Sequence, residues 1–519
     1  MIDYKSLHFL IIEDMPNFSS ALRTMVMFYG VPHDHIQVAS SGEDALPLLN
    51  STRYDVVLSD YNLGEGRNGN DVLEEAKHHQ LLKSSCIYIM LTAENSVDMV
   101  MGALEYQPDE YLTKPFTKEV LNARLERLVT RRSALMPIFN EVDKKQLGTA
   151  IANCNKLVAE FPRYKGYLLK LKTDLMMEKQ AYEPLLEIYN ALLNAKFIPW
   201  AQLGQGKCHY YLKDYPKAET AFREILGHNE RYVQAWDWLA RVLEKQGDTN
   251  GGQKALSQAT AISPRNVRRQ SQLGELARQN GDLEVAEKAF NQSVKVGKHS
   301  VHRSPDNYLG LAKVLAERIK TADSRVAKRM GIKVGTMMEE LRTIYRKSPT
   351  VALQSRLAEG EVQTVLGNEA GAAKSLTQAF EICSKDAEGD LSAELKEQVV
   401  EQLEVSGQEA LAHALVHGMQ QEESIHNSQA VDLYEKGSLV QALALIQHAV
   451  EEKPRSFAIN LNFAQVALHY MTENKPEKSL LLKVRNSFRQ VETLPTDDSR
   501  AELKKQLQRR YQKMVQGLS

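Results

Sequence analysis

The sequence is poor in cysteine, has no long apolar run and carries no excess of either charge. Its four cysteines lie far apart and form no Cys-x-x-Cys or Cys/His ligand spacing, so we expect buried thiols in a reducing compartment rather than disulfides or a cysteine metal site. No stretch approaches the roughly 20 apolar residues of a membrane helix. The apolar run near the N-terminus is short and soon followed by acids, unlike a signal peptide. We therefore expect a cytoplasmic protein without membrane insertion.

The charge of the chain is balanced. The formal net charge is −1, with acidic and basic residues mixed along the sequence. Such a balance gives no dominant attraction to nucleic acid or to an anionic membrane, and we expect no nucleic-acid partner. At 519 residues the chain exceeds the size of one hydrophobic core, so two or more structural units are expected.

Up to about residue 130, short apolar runs alternate with amphipathic helical stretches. The five predicted strands are His8–Ile12, Ile36–Val38, Asp55–Ser59, Cys86–Met90 and Glu110–Leu112. Such alternation indicates βαβ units and a parallel sheet covered by helices on both faces. The sequence therefore predicts an α/β, doubly wound, five-stranded domain at residues 1–130.

Beyond residue 130 the strand pattern stops and a 34-residue repeat begins. The aligned columns are Gly206, Ala240 and Gly274; Asp214, Asp248 and Asp282; Ala218, Gly252 and Ala286; and Phe222, Leu256 and Phe290. Small residues where two helices cross, a polar turn and a large side chain in the groove are what a helical hairpin needs. The segment from Trp236 to Leu243, with the later Pro264, resembles the tetratricopeptide pattern.

Weaker copies flank these three repeats. We therefore predict an all-α tetratricopeptide superhelix at residues 131–519, with the clearest repeats at 199–300 and further repeats at about 353–384 and 423–470. Residues 300–348 and 385–420 are helical in composition but fit the repeat poorly, and we interpret them as degenerate or elongated units. Repeats of this kind present a concave surface to other molecules.

Acidic, hydroxyl and basic residues follow the ends of the predicted strands. Glu13 and Asp14 follow the first strand, Asp60 the third, Thr92 the fourth and Lys114 the last. The carboxyl ends of parallel strands meet in one crevice. Carboxylates brought together repel one another unless a cation neutralises them, and Mg²⁺ suits such oxygen ligands. The lysine and hydroxyl suit a transferred phosphoryl group, with Asp60 as the carboxylate nucleophile.

In this order and spacing, the residues resemble the receiver domains of bacterial two-component response regulators over residues 7 to about 128. The resemblance implies a flavodoxin-like fold, Mg²⁺ as cofactor and phosphoryl transfer to Asp60 from a histidine kinase. It also assigns the other site residues: Glu13, Asp14, Asp60 and the backbone carbonyl of Asn62 hold the metal, Thr92 and Tyr111 are the switch hydroxyl and switch aromatic, and Lys114 pairs with the phosphate. Pro115 matches a proline that the family usually joins to this lysine by a cis peptide.

The chain departs from the family pattern at a few positions. Glu13 replaces an aspartate, which is a common variation. The loop after Asp60 has Gly64 where many members carry proline, and it has two or more extra residues before Asp71. These differences bear on the metal loop and on phosphoryl lifetime rather than on the acceptor. Glu94 lies near the position where members tune the access of hydrolytic water.

We interpret the chain as a phosphorylation-controlled adaptor rather than an enzyme. Phosphorylation of Asp60 would repack the surface made by roughly residues 96–129, through which two copies could pair, and would switch protein binding by the repeat arm. The alternatives are a DNA-binding transcription regulator, a phosphate sink for a kinase, and an enzyme with catalytic output. We find no winged-helix or helix-turn-helix segment, clustered His/Asp motif or Gly-rich phosphate loop after residue 130, so the adaptor is preferred. The sequence names neither the kinase nor the partner.

Overall fold

The computed structural model describes residues 4–93, 106–386, 390–421, 424–495 and 498–516. The chain forms two compact units, Met1–Leu311 and Ala312–Ser519. Within the described ranges, no helix has both the length and the apolar character needed to span a bilayer.

The first unit begins with a five-stranded parallel sheet. Its strands are β1 (Phe9–Ile12), β2 (Ile36–Ala39), β3 (Val56–Asp60), β4 (Ile87–Thr92) and β5 (Glu110–Thr113), in the order β2-β1-β3-β4-β5. Each strand lies within one or two residues of its predicted position, so the predicted fold class is confirmed for this part of the chain. Because every described pair is parallel, the polar residues that follow the strands lie along one edge of the sheet.

Helices cover both faces of this sheet. The helices are α1 (Pro16–Phe28), α2 (Gly42–Ser51), α3 (Gly69–His78) and α4 (Lys118–Asp143). Alternate strand residues point to opposite faces: Ile11 and Leu58 pack with α1 and α4, while Ile12 and Val57 pack with α2 and α3. This three-layer arrangement explains why the strands are apolar throughout rather than alternating.

Helix α4 belongs to both parts of the first unit. Its residues Leu121, Leu125 and Leu128 pack on the sheet, while Leu135 and Ile138 join the core of the first helical repeats. The sequence predicts a domain boundary near residue 130, and the structure shows one continuous helix of 26 residues across that position. The domain boundary near residue 130 remains a prediction, since it falls inside this helix.

Paired helices follow α4 through the rest of the first unit. They are α5 (Leu147–Glu160), α6 (Lys165–Glu178), α7 (Tyr182–Ala195), α8 (Pro199–Tyr211), α9 (Tyr215–His228), α10 (Val233–Gln246), α11 (Thr249–Ile262), α12 (Val267–Gln279), α13 (Leu283–Val296) and α14 (Pro305–Ile319), the last of which reaches the boundary between the units. The aspartate column of the repeat has a local cause. Asp214, Asp248 and Asp282 each begin a helix, and their side chains accept hydrogen bonds from the backbone of the first turn.

The small and large columns of the repeat also meet as expected. A Cβ atom added at Gly206 would lie 2.5 Å from Phe222 Cε1, and one at Gly274 would lie 2.8 Å from Phe290 Cδ2. The absent side chain therefore lets each phenylalanine fill the space between the two helices of its pair.

The second unit is also helical. Its helices are α15 (Ser324–Ile344), α16 (Pro349–Val365), α17 (Glu369–Ser384), α18 (Ala393–Val405), α19 (Glu409–Gln421), α20 (Ile425–Glu435), α21 (Leu439–Glu452), α22 (Phe457–Glu473), α23 (Lys478–Gln490) and α24 (Ala501–Gln516). At 21 residues, α15 is the elongated element in the region where the repeat pattern is weak.

Candidate functional site

Three carboxylates lie together at the carboxyl edge of the sheet. Glu13 and Asp14 follow β1, and Asp60 ends β3, so the parallel strands bring ligand oxygens of all three within 4.8 Å of one another. Glu13 and Asp60 are buried, whereas Asp14 is more exposed. The arrangement predicted from the strand ends is therefore present in the fold.

Lys114 bridges two of these carboxylates. Its Nζ lies 2.8 Å from Glu13 Oε2 and 2.9 Å from Asp60 Oδ2, with the ring of Phe18 4.1 Å away on another side. The Lys114 backbone N–H donates to the carbonyl of Thr92, which fixes the lysine beside the end of β4. The Lys114–Pro115 peptide is cis, as the resemblance implied.

Burial and charge act in opposite directions on the two buried acids. Burial raises the pKa of Glu13, the Asp60 charge adds to the rise, and the hydrogen bond with Lys114 opposes it. Burial likewise raises the pKa of Asp60, while Lys114 and the backbone N–H of Tyr61 lower it. The site thus holds negative charge that one lysine only partly compensates.

The donor set fits a hard divalent cation. Glu13 Oε1 is buried without a hydrogen-bond partner among the described residues, although a carboxylate oxygen in that position needs one. Three carboxylates within reach of one another are ligands that Mg²⁺ prefers. Asn62 follows two residues after Asp60, in an exposed part of the loop. Its metal-ligand role remains a prediction.

The elongated loop after β3 is held at both ends. Gly64 and Gly66 have φ of +74° and +103°, a conformation that favours glycine, and Asn68 forms a reciprocal capping box with Asp71 at the start of α3. The backbone N–H of Arg67 donates to Glu43 on α2. The extra residues are thus ordered by contacts to α2 and α3, which the family pattern did not predict.

The two predicted switch residues, Thr92 and Tyr111, occupy neighbouring strands. Thr92 ends β4 and is 2% exposed, and Tyr111 lies in β5 opposite Met90, where its ring packs against the core on the α2/α3 face. Their roles remain predictions. Glu94 and most of the predicted helix before β5 lie in residues 94–105, outside the described residues.

Two contacts that sequence reasoning missed join the α/β domain to the helical repeats. Arg265 Nη1, in the turn between α11 and α12, donates to the hydroxyl of Tyr61 at 2.8 Å. Ser300 Oγ, in the segment after α13, donates to Glu74 Oε2 on α3 at 2.5 Å. Tyr61 directly follows Asp60, and these partners are more than 200 residues away in sequence, so no local pattern could have revealed them.

Glu74 is buried in this contact. Its side chain is 5% exposed, its second oxygen accepts from the hydroxyl of Tyr106 at 2.6 Å, and His302 Nε2 lies 3.6 Å from the same oxygen. A polar cavity of about 230 Å³ adjoins the contact and is lined by Tyr61, Asp71 and Arg265 among others. We call Tyr61, Glu74, Arg265 and Ser300 the receiver–repeat contact.

Two family models match the chain, one within each of the two regions predicted from the sequence. Residues 9–126 match the response regulator receiver domain, and residues 203–267 and 239–308 match the tetratricopeptide repeat. The chain is 29% identical over 122 residues to the chemotaxis protein CheY of Pseudomonas aeruginosa, covering 24% of this chain and 95% of that protein. It is 37% identical over 126 residues to the transcriptional regulatory protein CpxR of Klebsiella pneumoniae, covering 24% of this chain and 49% of that one.

The signal receiver domain of a signal transduction histidine kinase from Syntrophus aciditrophicus is 26% identical, with a TM-score of 0.22, and the match covers 24% of this chain and 91% of that one. The receiver match implies phosphorylation-dependent signalling, and the repeats imply protein interaction. The chain therefore contains a response regulator receiver domain at residues 9–126, followed by a helical region with tetratricopeptide repeats within residues 203–308.

Proposed function

We propose that this protein is a cytoplasmic signalling adaptor in which a histidine kinase phosphorylates Asp60 and so changes protein binding by the repeat arm. The observation that carries the proposal is the placement of Lys114 Nζ 2.9 Å from Asp60, beside Glu13 and Asp14. An oxygen of Asp60 forms the new bond to phosphorus while the bond to the donor breaks. Glu13, Asp14, Asp60 and the Asn62 carbonyl would hold Mg²⁺, which screens the incoming charge.

The residues of the chain then respond to the new charge. A phosphoryl group adds roughly −1.5 to −2 charge near neutral pH. Lys114, which now divides its hydrogen bonds between Glu13 and Asp60, would turn to the phosphoryl oxygens. Thr92, at the adjacent strand end, would donate its hydroxyl to the same oxygens, and Tyr111 would follow it inward. The surface made by residues 96–129 would change with them.

Phosphotransfer is tested with acetyl phosphate and Mg²⁺, followed by intact mass. Wild type should gain the mass of one phosphoryl group, and Asp60→Asn should not. Asp34→Asn serves as the matched control, because Asp34 is an exposed aspartate of the same domain. Equal gains in Asp60→Asn and wild type would remove Asp60 as the acceptor.

The receiver–repeat contact gives the signal a route to the arm. Tyr61 directly follows Asp60 and accepts a hydrogen bond from Arg265. Glu74, on the helix α3 that follows the same loop, accepts a hydrogen bond from Ser300. A ligand shifts an equilibrium only when it interacts differently with two arrangements. The two arrangements here are the closed contact and a contact loosened by movement of the loop after Asp60.

Hydrogen exchange can report this route. Beryllofluoride, a phosphoryl analogue, should raise amide exchange in peptides that cover residues 262–303, and Arg265→Gln should raise it without the analogue. Arg231 occupies the equivalent position one repeat earlier and is exposed, so Arg231→Gln is the control. If Arg265→Gln exchanged like wild type, the contact would not hold the repeats to the receiver.

A further inference from the structure

A cluster of metal-ligating side chains lies in the second unit, far in sequence from the phosphoacceptor site. His426 Nδ1 lies 2.9 Å from the Glu452 carboxylate, and His448 Nδ1 lies 3.3 Å from Glu452 Oε1. The two imidazole rings are 4.6 Å apart between centroids. One ligand atom from each residue falls within 4.8 Å of the others.

The helical hairpin produces this grouping. His448 and Glu452 are four residues apart on α21 and therefore lie on the same side of the helix. His426 lies in the first turn of α20, and the antiparallel pairing of the two helices brings the start of α20 against the end of α21. Ser424 Oγ donates to Glu452 Oε2 at 2.9 Å and holds the carboxylate in place.

We infer that His426, His448 and Glu452 bind a divalent transition-metal ion of the Zn²⁺ type. Two imidazole nitrogens and one carboxylate oxygen are ligands that Zn²⁺ accepts, and three protein ligands leave the fourth position for water. In tetrahedral Zn²⁺ sites, with bonds of about 2.0–2.1 Å, neighbouring ligand atoms lie about 3.3 Å apart. The two separations from Glu452 are already close to this value, and the histidine nitrogens lie within 4.8 Å of each other, so binding requires the two rings to approach each other.

The three side chains are accessible to an ion from solvent. The three side chains are 36%, 58% and 34% exposed, in the order His426, His448 and Glu452, so an ion can reach them from solvent. A metal ion accepts a lone pair from each imidazole nitrogen and from the carboxylate oxygen, and its positive charge is balanced in part by that carboxylate. The metal would tie together the end of the hairpin that lies opposite its turn at residues 436–438.

The test is isothermal titration calorimetry, in which Zn²⁺ is titrated into the full chain after dialysis against a chelator. Millimolar Mg²⁺ is present throughout, so that it competes for the acidic site of the receiver. Wild type should bind Zn²⁺, and this binding event should weaken at least about tenfold in both His426→Gln and His448→Gln, which lose a direct ligand. His469→Gln is the matched control. His469 lies four residues before Glu473 on α22, with Nε2 3.5 Å from the carboxylate, and belongs to no three-ligand group among the described residues.

Two results would overturn the inference. In the first, both His426→Gln and His448→Gln bind Zn²⁺ as wild type does. In the second, the event disappears in Asp60→Asn but survives in His448→Gln, which would place it at the acidic site of the receiver. Thermal unfolding gives a second readout, because Zn²⁺ should raise the Tm of wild type and of His469→Gln but not that of His448→Gln.

Discussion

Lys114 is the residue on which the charge balance of the acidic site at Glu13, Asp14 and Asp60 depends. Its side chain is 13% exposed, and the two carboxylates that it contacts are 0% and 9% exposed. Removing one partner of a buried ionic group leaves charge without compensation, which costs about 3–5 kcal/mol when the groups are fully buried. Here the cost also depends on Asp14, the third carboxylate of the group.

We expect Lys114→Met to lower the free energy of unfolding by about 2–4 kcal/mol in the presence of a chelator. Mg²⁺ should restore part of the loss, because a second cation takes over the compensation. Urea denaturation at neutral pH measures both effects. Lys118→Met is the control, since Lys118 is 46% exposed and its Nζ lies 3.9 Å from Glu119. Equal stability of Lys114→Met and wild type would show that the carboxylates need no internal cation.

Asp71, which lines the cavity beside the receiver–repeat contact, makes the stability of the fold depend on pH. Burial raises its pKa to about 6, against opposing effects of the Asn68 backbone N–H, Arg265 and Arg67. A carboxyl whose folded pKa exceeds its unfolded value of about 3.9 favours the protonated form in the fold. The contribution of protonated Asp71 to the free energy of unfolding is therefore fully present below pH 4 and is lost as the pH rises through 6.

Asp71→Asn should remove this dependence while keeping an oxygen for the Asn68 backbone N–H. Wild type should lose on the order of 2 kcal/mol between pH 4 and pH 7 from this group alone, and the variant should not. Urea midpoints measured across that range compare the two proteins. Parallel pH profiles would mean that Asp71 does not titrate in this window.

The residues at the strand ends could be predicted from the sequence, whereas the residues that contact the receiver from the repeats could not. Glu13, Asp60 and Lys114 follow buried strands, and the topology of a parallel sheet brings such positions together whatever the loops do. Arg265 and Ser300 carry no such signal, because their place beside Tyr61 and Glu74 depends on the summed curvature of several repeats. His426 and His448 lie on two different helices, and only the pairing of those helices brings their rings together.

Among the elements, the repeat helices are held by glycines that make room for aromatic rings. Alanine is the better helix former by about 1 kcal/mol, so propensity alone predicts that Gly206→Ala stabilises α8. The structure predicts the opposite, because the added Cβ would lie 2.5 Å from the Phe222 ring.

We expect Gly206→Ala and Gly274→Ala each to destabilise the first unit by about 1–3 kcal/mol, as overpacked cores do. Gly227→Ala is the control, since a Cβ at this position in α9 meets nothing within 4 Å and should be neutral or stabilising. Thermal or urea unfolding of the full chain distinguishes these results. A gain in stability for Gly206→Ala would show that Phe222 can move aside without cost.

The element boundaries show where local patterns are reliable. The helix starts at Asp214, Asp248 and Asp282 follow from their capping chemistry, which acts within one turn. The end of the last receiver helix could not be predicted in this way, because the sequence near residue 130 suits both a sheet-covering helix and a repeat helix. Packing on two successive cores makes α4 a single helix.

At the scale of the whole molecule, α4 and the receiver–repeat contact connect the receiver to the arm at two places. Arg132 on α4 is hydrogen-bonded to the Ser84 carbonyl and paired with Asp109, and Asp143 accepts from the Ser84 backbone N–H. The helix is thus fastened to loops of the sheet along its second half. A change at Asp60 therefore has short routes to the arm.

We expect beryllofluoride to change the small-angle scattering profile or the oligomeric state of the full chain. Thr92→Ala should reduce the change while leaving Asp60 able to accept a phosphoryl group, because the proposed role of the Thr92 hydroxyl is to donate a hydrogen bond to that group. Asp60→Asn, which lacks the proposed acceptor, should show no change. Identical scattering profiles with and without beryllofluoride, at several protein concentrations, would show that phosphorylation changes neither the arrangement of the arm nor the oligomeric state.

The hydrogen bond between the side chains of Tyr61 and Arg265, which lie 204 positions apart in the sequence, also closes the polypeptide between them into a ring. Open repeat arrays gain or lose copies freely, since each copy touches only its neighbours. A closed ring has no such freedom, because deleting or inserting one 34-residue copy between α4 and Arg265 would rotate and translate every later helix by one step. The number of helix pairs between α4 and Arg265 is therefore fixed by the requirement that Arg265 reach Tyr61, the residue after Asp60. The number of blades in a β-propeller is fixed by closure in the same way.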